Sequence, residues 1–177
     1  RRVLFRSVKQ VVVSEEWIAV VANNWWQANQ AVKALKVEWE NGAKGEISSA
    51  TIMNKLKQDI AAPSQPLARK DGDTAQAFAS AHKLLEAEYT TGFVNHATME
   101  PQNATALYRS EGLEVWVGTQ NGESSIAAAA EASGLPLEKI QIHKMHAGGA
   151  FGRRGPHQDY TKQAVKIAMA VPGIPVK

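Results

Sequence analysis

Four glycines crowd the segment Ala147-Gly148-Gly149-Ala150-Phe151-Gly152-Arg153-Arg154-Gly155, which lies between a strand-like run and a helix-like one. Glycine permits left-handed backbone and close approach of main chain to main chain or ligand, so this segment reads as a tight connection. Before it, Ile140, Ile142 and the residues to Met145 read as a strand; after it, Gln158 to Val171 places Ala164, Ile167, Ala168 and Val171 on one helical face. Pro172-Gly173 ends that helix. Further upstream, Ala104 to Tyr108 and Leu113 to Thr119 are strands joined by the turn Ser110-Glu111-Gly112. Glu123 to Ser133 is an Ala-rich helix stopped by Gly134 with Pro136 beyond. The chain from Leu113 therefore predicts strand–helix–strand–glycine loop–helix, a mixed α/β arrangement.

The first half is patterned differently. Val8 to Val13 and Trp17 to Ala22 are strand-like runs around the polar turn Ser14-Glu15-Glu16. Trp25, Ala28, Val32 and Leu35 share one face of a helix capped by Asn23 or Asn24, which assigns Trp25 to the core. Val37 and Trp39 alternate with Glu38 and Glu40 in a predicted strand ending at Asn41-Gly42, so residues 8–41 read β-β-α-β. Ser48 to Ala62 predicts a helix with Ile52, Leu56 and Ile60 together. An irregular connection at Pro63-Ser64-Gln65-Pro66, a short helix over Thr74 to Ala81 and a strand over Leu84 to Val94 follow.

Composition removes several kinds of chemistry. With no cysteine, the chain holds no disulfide, thiolate zinc site, iron–sulfur cluster or cysteine nucleophile. No Gly-x-Ser-x-Gly elbow is present, and no apolar run reaches the 18 residues of a membrane span. The net charge of +3 sits entirely in Arg1, Arg2 and Arg6, so neither nucleic acid nor a membrane is expected as a partner.

The glycine segment could bind an anion through its backbone amides and the following helix N-terminus, with Arg153 and Arg154 as paired donors. It could equally be a tight turn with solvent-facing arginines. The dinucleotide pattern fails at Ala150, and no Gly-Lys-Ser/Thr is present. Gln120 follows a strand, where a side-chain amide can reach a ligand crevice or simply shape a turn with Asn121 and Gly122. His96 and Glu100 are an acid–base pair, two metal ligands or loop residues that satisfy backbone groups. His143 and His146 are three apart on a strand and point to opposite faces, which makes them poor co-ligands; no direct metal ligand is assigned.

Four segments in order carry a family resemblance: Met99-Glu100-Pro101-Gln102-Asn103-Ala104, Val117-Gly118-Thr119-Gln120, Gly148 to Arg154, and Ala170 to Lys177. Together they resemble the molybdopterin-binding large subunit of the xanthine dehydrogenase/aldehyde oxidase family, nearest the bacterial isoquinoline 1-oxidoreductase β-subunit group. Asn24 to Ala28 and Val37 to Glu40 resemble the end of that family's α/β hammerhead module. The resemblance implies a molybdenum hydroxylase that passes water-derived oxygen to an N-heterocycle or aldehyde, with a molybdenum–pyranopterin cofactor, in bacteria usually the cytosine dinucleotide form. Electrons would leave through [2Fe–2S] clusters on a partner subunit, and the remainder of the large subunit would complete the pocket.

By position, Gln120 matches the glutamine whose amide bonds the molybdenum oxo ligand. Gly148, Gly149, Ala150, Phe151, Gly152 and Arg153 match the cofactor loop, with Phe151 shaping the substrate side. The family's third loop glycine is Ala150 here. Gly155 stands where xanthine-oxidising relatives carry a substrate-orienting glutamate, which disfavours purines. The family's catalytic glutamate matches no carboxylate in this chain, so the expectation is an N-terminal-side fragment that is inactive alone. A different class stays open: a non-catalytic α/β module binding a protein partner or anion through its Gly-Arg loop.

The expected organisation is a non-native extension over 1–7, part of a hammerhead module over 8–42, a linker over 43–72 and the first part of a molybdenum-cofactor domain over 73–177. Arg1 to Ser7 has no counterpart in the family, and Arg-Val-Leu-Phe-Arg-Ser is what a common sequencing adapter encodes in one frame. Cytoplasm and periplasm both remain open as the compartment.

Overall fold

The computed structural model describes residues 7–62 and 68–177. Of these, residues 7–37 with 96–177 form one compact unit and the described residues between 38 and 95 a second. The first contains a three-stranded sheet of β3 (Ala104–Tyr108), β4 (Leu113–Gly118) and β5 (Ile140–Met145) in that order. The β3–β4 pair is an antiparallel hairpin closed by mutual Arg109–Gly112 backbone bonds. β4 and β5 are parallel, so the chain between them has to cross back over the sheet. It does so as helix α4 (Gly122–Ser133), started by the Asn121 side chain accepting from the Ser124 amide (3.0 Å). Gly134 stops it at φ 71, a conformation that costs other L-residues more.

Alternation along β4 sends Leu113, Val115 and Val117 into the core while Glu114 and Trp116 face the other way. Helix α5 (Asp159–Met169) lays Tyr160, Thr161, Ala164, Val165 and Ala168 on the same core as α4. The segment after α5 ends as a further rung, with Ala106 and Val176 exchanging backbone bonds of 2.8 and 2.9 Å. The mixed α/β expectation is met, and the core lies on the helix-covered side.

The same unit contains the antiparallel pair β1 (Val8–Val13) and β2 (Ile18–Ala22), followed by helix α1 (Trp25–Ala34), whose N-cap is Asn24. Here the expected face is wrong. The residue buried in α1 is Ala31, whereas Trp25 is 76% exposed and Val32 and Leu35 also point outward. α1 packs on β2, and a methyl group at Ala31 allows a close approach that an indole would prevent.

Residues 38–95 hold a 3₁₀ turn (Gly42–Glu46), α2 (Ser49–Ala61) and α3 (Thr74–Ser80). α2 is started by a capping box, with the Ser48 hydroxyl accepting from the Thr51 amide (3.2 Å) and Thr51 Oγ1 from the Ser48 amide (2.8 Å). No described residue of this unit is buried. Its ion pairs, Lys55–Asp59, Lys57–Glu88 and Arg69–Asp71, are exposed and add little stability. The predicted strands at 37–40 and 84–94 do not form: Tyr89 and Val94 are about nine-tenths exposed. A strand exists only through its ladder, and among the described residues neither run has one. The predicted connection at 63–66 lies outside the described residues.

Candidate functional site

The glycine segment leaves β5 at Met145 and rejoins the core at Gln158. One side chain organises its path. Arg154 is fully buried, and its guanidinium donates from Nε to the Gly149 carbonyl (2.9 Å) and from Nη1 to the Gly118 carbonyl (3.2 Å). Nη2 donates to both the carbonyl (2.9 Å) and Oε2 (2.8 Å) of Glu100. The carbonyl of Arg154 in turn accepts from the Gln120 amide (3.0 Å), the Thr119 hydroxyl (3.2 Å) and Gln158 Nε2 (3.1 Å). The expected pair of anion-seeking or solvent-facing arginines is therefore corrected. Arg153 is bound as well, with Nη2 on both oxygens of Asp159 (2.9 and 2.7 Å) at the start of α5. Asp159 sits in the first turn, where the helix amides favour a carboxylate. Burial works to raise its pKa, but the bond and charge of Arg153 prevail and hold it below the ordinary value.

Glu100 is the second organiser. Its Oε2 accepts from the Gly148 amide (2.8 Å), its Oε1 from the Asn103 side chain (3.1 Å), and its own amide donates to the Gly148 carbonyl (3.0 Å). The Gly148 amide is the largest influence lowering the Glu100 pKa, with Asn103 next and the Arg154 charge behind, together outweighing burial. Gly148 is obligatory on steric grounds, because a Cβ there would stand 2.6 Å from Glu100 Cβ. His96 is exposed and contributes nothing to this carboxylate. His143 is elsewhere, stacked on Trp116 (centroids 4.7 Å apart) and bonded to Glu114 (3.1 Å).

Beneath the loop lies a buried polar knot. The Ser125 hydroxyl meets Thr119 Oγ1 (3.1 Å) and Gln158 Oε1 (3.0 Å), and Thr161 also donates to Gln158 Oε1 (3.0 Å). This knot ties the end of β4 to the first turns of α4 and α5. Above it the loop carries backbone strain. Phe151 has φ 51 and Ala97 φ 45, the only left-handed non-glycine residues among those described. Such a conformation costs a bulky residue energy that surrounding contacts must offset. Phe151 is held there between Gly149 (φ 97) and Gly152 (φ 91), with its ring 73% exposed. Ala150 caps the turn by accepting from the Arg153 amide (2.8 Å). Gln120 is exposed, and its amide bond to Arg154 sets it beside this loop.

Sequence reasoning thus named the exposed members (Gln120, Phe151), allowed Glu100 as a residue that satisfies loop backbone, and missed the roles of Arg154, Thr119, Ser125 and Gln158. Glu100 and Arg154 are 54 residues apart. No local pattern could have joined them.

A family model described as the molybdopterin cofactor-binding domain matches residues 54–177, more than half of the chain. The chain belongs to that family. This molybdopterin-binding domain is similar to the membrane-bound aldehyde dehydrogenase [pyrroloquinoline-quinone] of Gluconacetobacter polyoxogenes, with 33% identity over 100% of the chain and 23% of that protein. It is also similar to aldehyde oxidase 3 of Rattus norvegicus, with 25% identity over 98% of the chain and 13% of the relative. Quinoline 2-oxidoreductase from Pseudomonas putida 86 shares the fold at a TM-score of 0.61 and 22% identity, covering 88% of this chain and 20% of that one. The chain therefore spans under a quarter of the length of these relatives. The resemblance to the xanthine dehydrogenase/aldehyde oxidase family holds. Among the described residues, no helix is long and apolar enough to cross a membrane.

Proposed function

We propose that this molybdopterin-binding chain supplies one wall of the cofactor pocket in a molybdenum hydroxylase of the isoquinoline 1-oxidoreductase or aldehyde oxidase kind. The observation that carries the reading is the hydrogen bond from the Gln120 backbone amide to the Arg154 carbonyl (3.0 Å), which ties an exposed glutamine to the residue two past the 148–152 loop. The residues fit one side of a bound pterin cofactor. Gly149 is left-handed (φ 97), a conformation that favours glycine over any residue with a side chain, so the loop presents bare backbone there.

When bound, the molybdenum–pyranopterin group supplies the redox centre through which water-derived oxygen reaches carbon. Gln120 would donate its side-chain N–H to an oxygen on the metal and stabilise negative charge there without coordinating. The backbone of Gly148, Gly149, Ala150 and Gly152 would face the group, and Phe151 would present its ring to the substrate. Arg153 would have to leave Asp159 to reach the cofactor, so its contribution is to dock the loop on α5. Gly155 at the position of a purine-orienting glutamate disfavours purines and leaves isoquinoline- or quinoline-type heterocycles and aldehydes as substrates.

In the same proposal the acid–base glutamate lies outside these 177 residues, and a partner subunit carries the [2Fe–2S] clusters. The cofactor is the cytosine dinucleotide form. Residues 8–42 belong to a hammerhead module, 43–72 to a linker and 73–177 to the cofactor domain. The anion-binding alternative loses its arginine donors, because both guanidinium groups already have carboxylate partners.

The test is to express the whole polypeptide that carries these residues with its iron–sulfur partner, measure molybdenum by mass spectrometry, and follow oxygen from labelled water into quinoline, isoquinoline and benzaldehyde products. Near-stoichiometric molybdenum and labelled product are expected. Gln120→Ala should lower kcat about tenfold to a hundredfold at unchanged molybdenum content. Absence of molybdenum, or a Gln120→Ala enzyme with unaltered kcat, refutes the reading.

A further inference from the structure

The geometry points to Arg154 as a positioning residue, a buried latch that sets Gln120 and the 149–152 loop against one another, with Glu100 as its counter-ion. The inference rests on the reading of Gln120 and the loop as cofactor-facing. Its physical content is that one residue grips both parts at once. From its side chain it holds the loop at the Gly149 carbonyl, and from its main chain it holds the Gln120 amide. The remaining guanidinium bonds reach the end of β4 at Gly118 and the 97–100 segment at Glu100, so three separate stretches converge on one fork.

A lysine could not replace it. An ammonium is a point charge that cannot span carbonyls in several directions, whereas the planar guanidinium is already shaped for them. The burial is accommodated at both ends. Gly118 has no side chain to exclude Arg154, since a Cβ there would sit 3.3 Å from Nη1 and 3.2 Å from the His146 carbonyl. The charge is neutralised by Glu100, which also pins Gly148. A buried charge without that partner would be strongly unfavourable.

The experiment is amide hydrogen exchange on the whole polypeptide that carries these residues, comparing Arg154→Lys and Glu100→Gln with wild type. A latch predicts that the Gly148 and Gln120 amides lose protection about tenfold to a hundredfold in Arg154→Lys, while amides in the β4–β5 ladder such as Ile142 change far less. Glu100→Gln keeps the side-chain shape and an acceptor oxygen but strips the guanidinium of its counter-ion, so Gly148 should lose more protection than the β4–β5 ladder does. It serves as the decisive variant if Arg154→Lys does not fold.

An equal fall in protection at every amide, or unchanged protection at Gly148 and Gln120 in a folded variant, overturns the proposal. The second arm uses the whole molybdenum-loaded enzyme. Arg154→Lys should lower kcat with KM little changed, and restoring the guanidinium with homoarginine at 154 should recover part of it. Local loosening in an enzyme that contains no molybdenum would refute the cofactor reading and leave the latch standing; a normal kcat in a loosened, loaded enzyme would overturn its positioning role.

Discussion

Replacing Gly148 with alanine inserts one methyl group where the chain has no room for it. The new Cβ would lie 2.6 Å from Glu100 Cβ, closer than real Cβ contacts come, and 3.4 and 3.5 Å from Glu100 Oε2 and Cγ. The backbone at 148 is not left-handed, so the cost is steric rather than conformational. Relief requires the Glu100 side chain to swing away or the loop to lift. Either movement breaks the charge-assisted bond from the Gly148 amide to Glu100 Oε2, and lifting also breaks the return bond to the Gly148 carbonyl. Overpacking of this kind costs ~1–3 kcal/mol. Loss of the bond to a charged acceptor adds up to about 1.5–3 kcal/mol, at the low end because the Glu100 side chain is 36% exposed. A total of about 2–4 kcal/mol follows, or a fall of the urea midpoint on the order of 1–2 M at an m of about 2 kcal/mol/M. Gly122→Ala is the matched control. It has open space around its Cβ and opens α4, so it should be neutral or stabilising by about a few tenths of a kcal/mol. A midpoint for Gly148→Ala within error of Gly122→Ala would refute the close approach and the clamp built on it.

Glu100 titrates below its ordinary range in the folded chain, so its contribution to stability is complete above the unfolded carboxyl value and is lost as pH falls through the folded one. Wild type should exceed Glu100→Gln in stability at neutral pH and converge with it in acid; a constant gap between the two curves would contradict this, and the Gly148 amide shift should report the same transition. Ser125→Ala removes a fully buried hydroxyl from Thr119, Gln158 and the Asn121 carbonyl. It should cost about 1–3 kcal/mol in urea unfolding, and a loss under about 0.5 kcal/mol would show the knot to be dispensable.

Where local rules sufficed, the reading from residues held. The β3–β4 hairpin follows from alternation around Ser110-Glu111-Gly112, α4 from its run of alanines ended by Gly134, and α5 from Ala164, Ala168 and their neighbours. It failed where a decision belonged to a distant partner. Val37 to Glu40 and Leu84 to Val94 carry strand-like patterns but find no ladder among the described residues. The stripe of Trp25, Val32 and Leu35 has the right period, yet period does not say which face meets β2, and Ala31 does. The site divides in the same way. Gln120 and Phe151 could be picked out through resemblance; that Glu100 satisfies loop backbone was also open to a local reading, but that its partner is the Gly148 amide, 48 residues on, was not.

Residue order alone was enough to specify a mixed α/β chain, a glycine-rich connection between strand and helix, and membership of the molybdopterin-binding family, because each depends on short-range periodicity, punctuation or an ordered set of motifs. The fate of the two arginines needed the folded chain. Written in sequence, Arg153-Arg154 is a basic pair beside an anion-shaped loop. In space one is bound to Asp159 and the other is buried under the loop among Glu100, Gly118 and Gly149. Whether a guanidinium faces solvent or core depends on which carbonyls and carboxylates the packing brings within 3 Å or so of it, and those partners come from as far as 54 residues away.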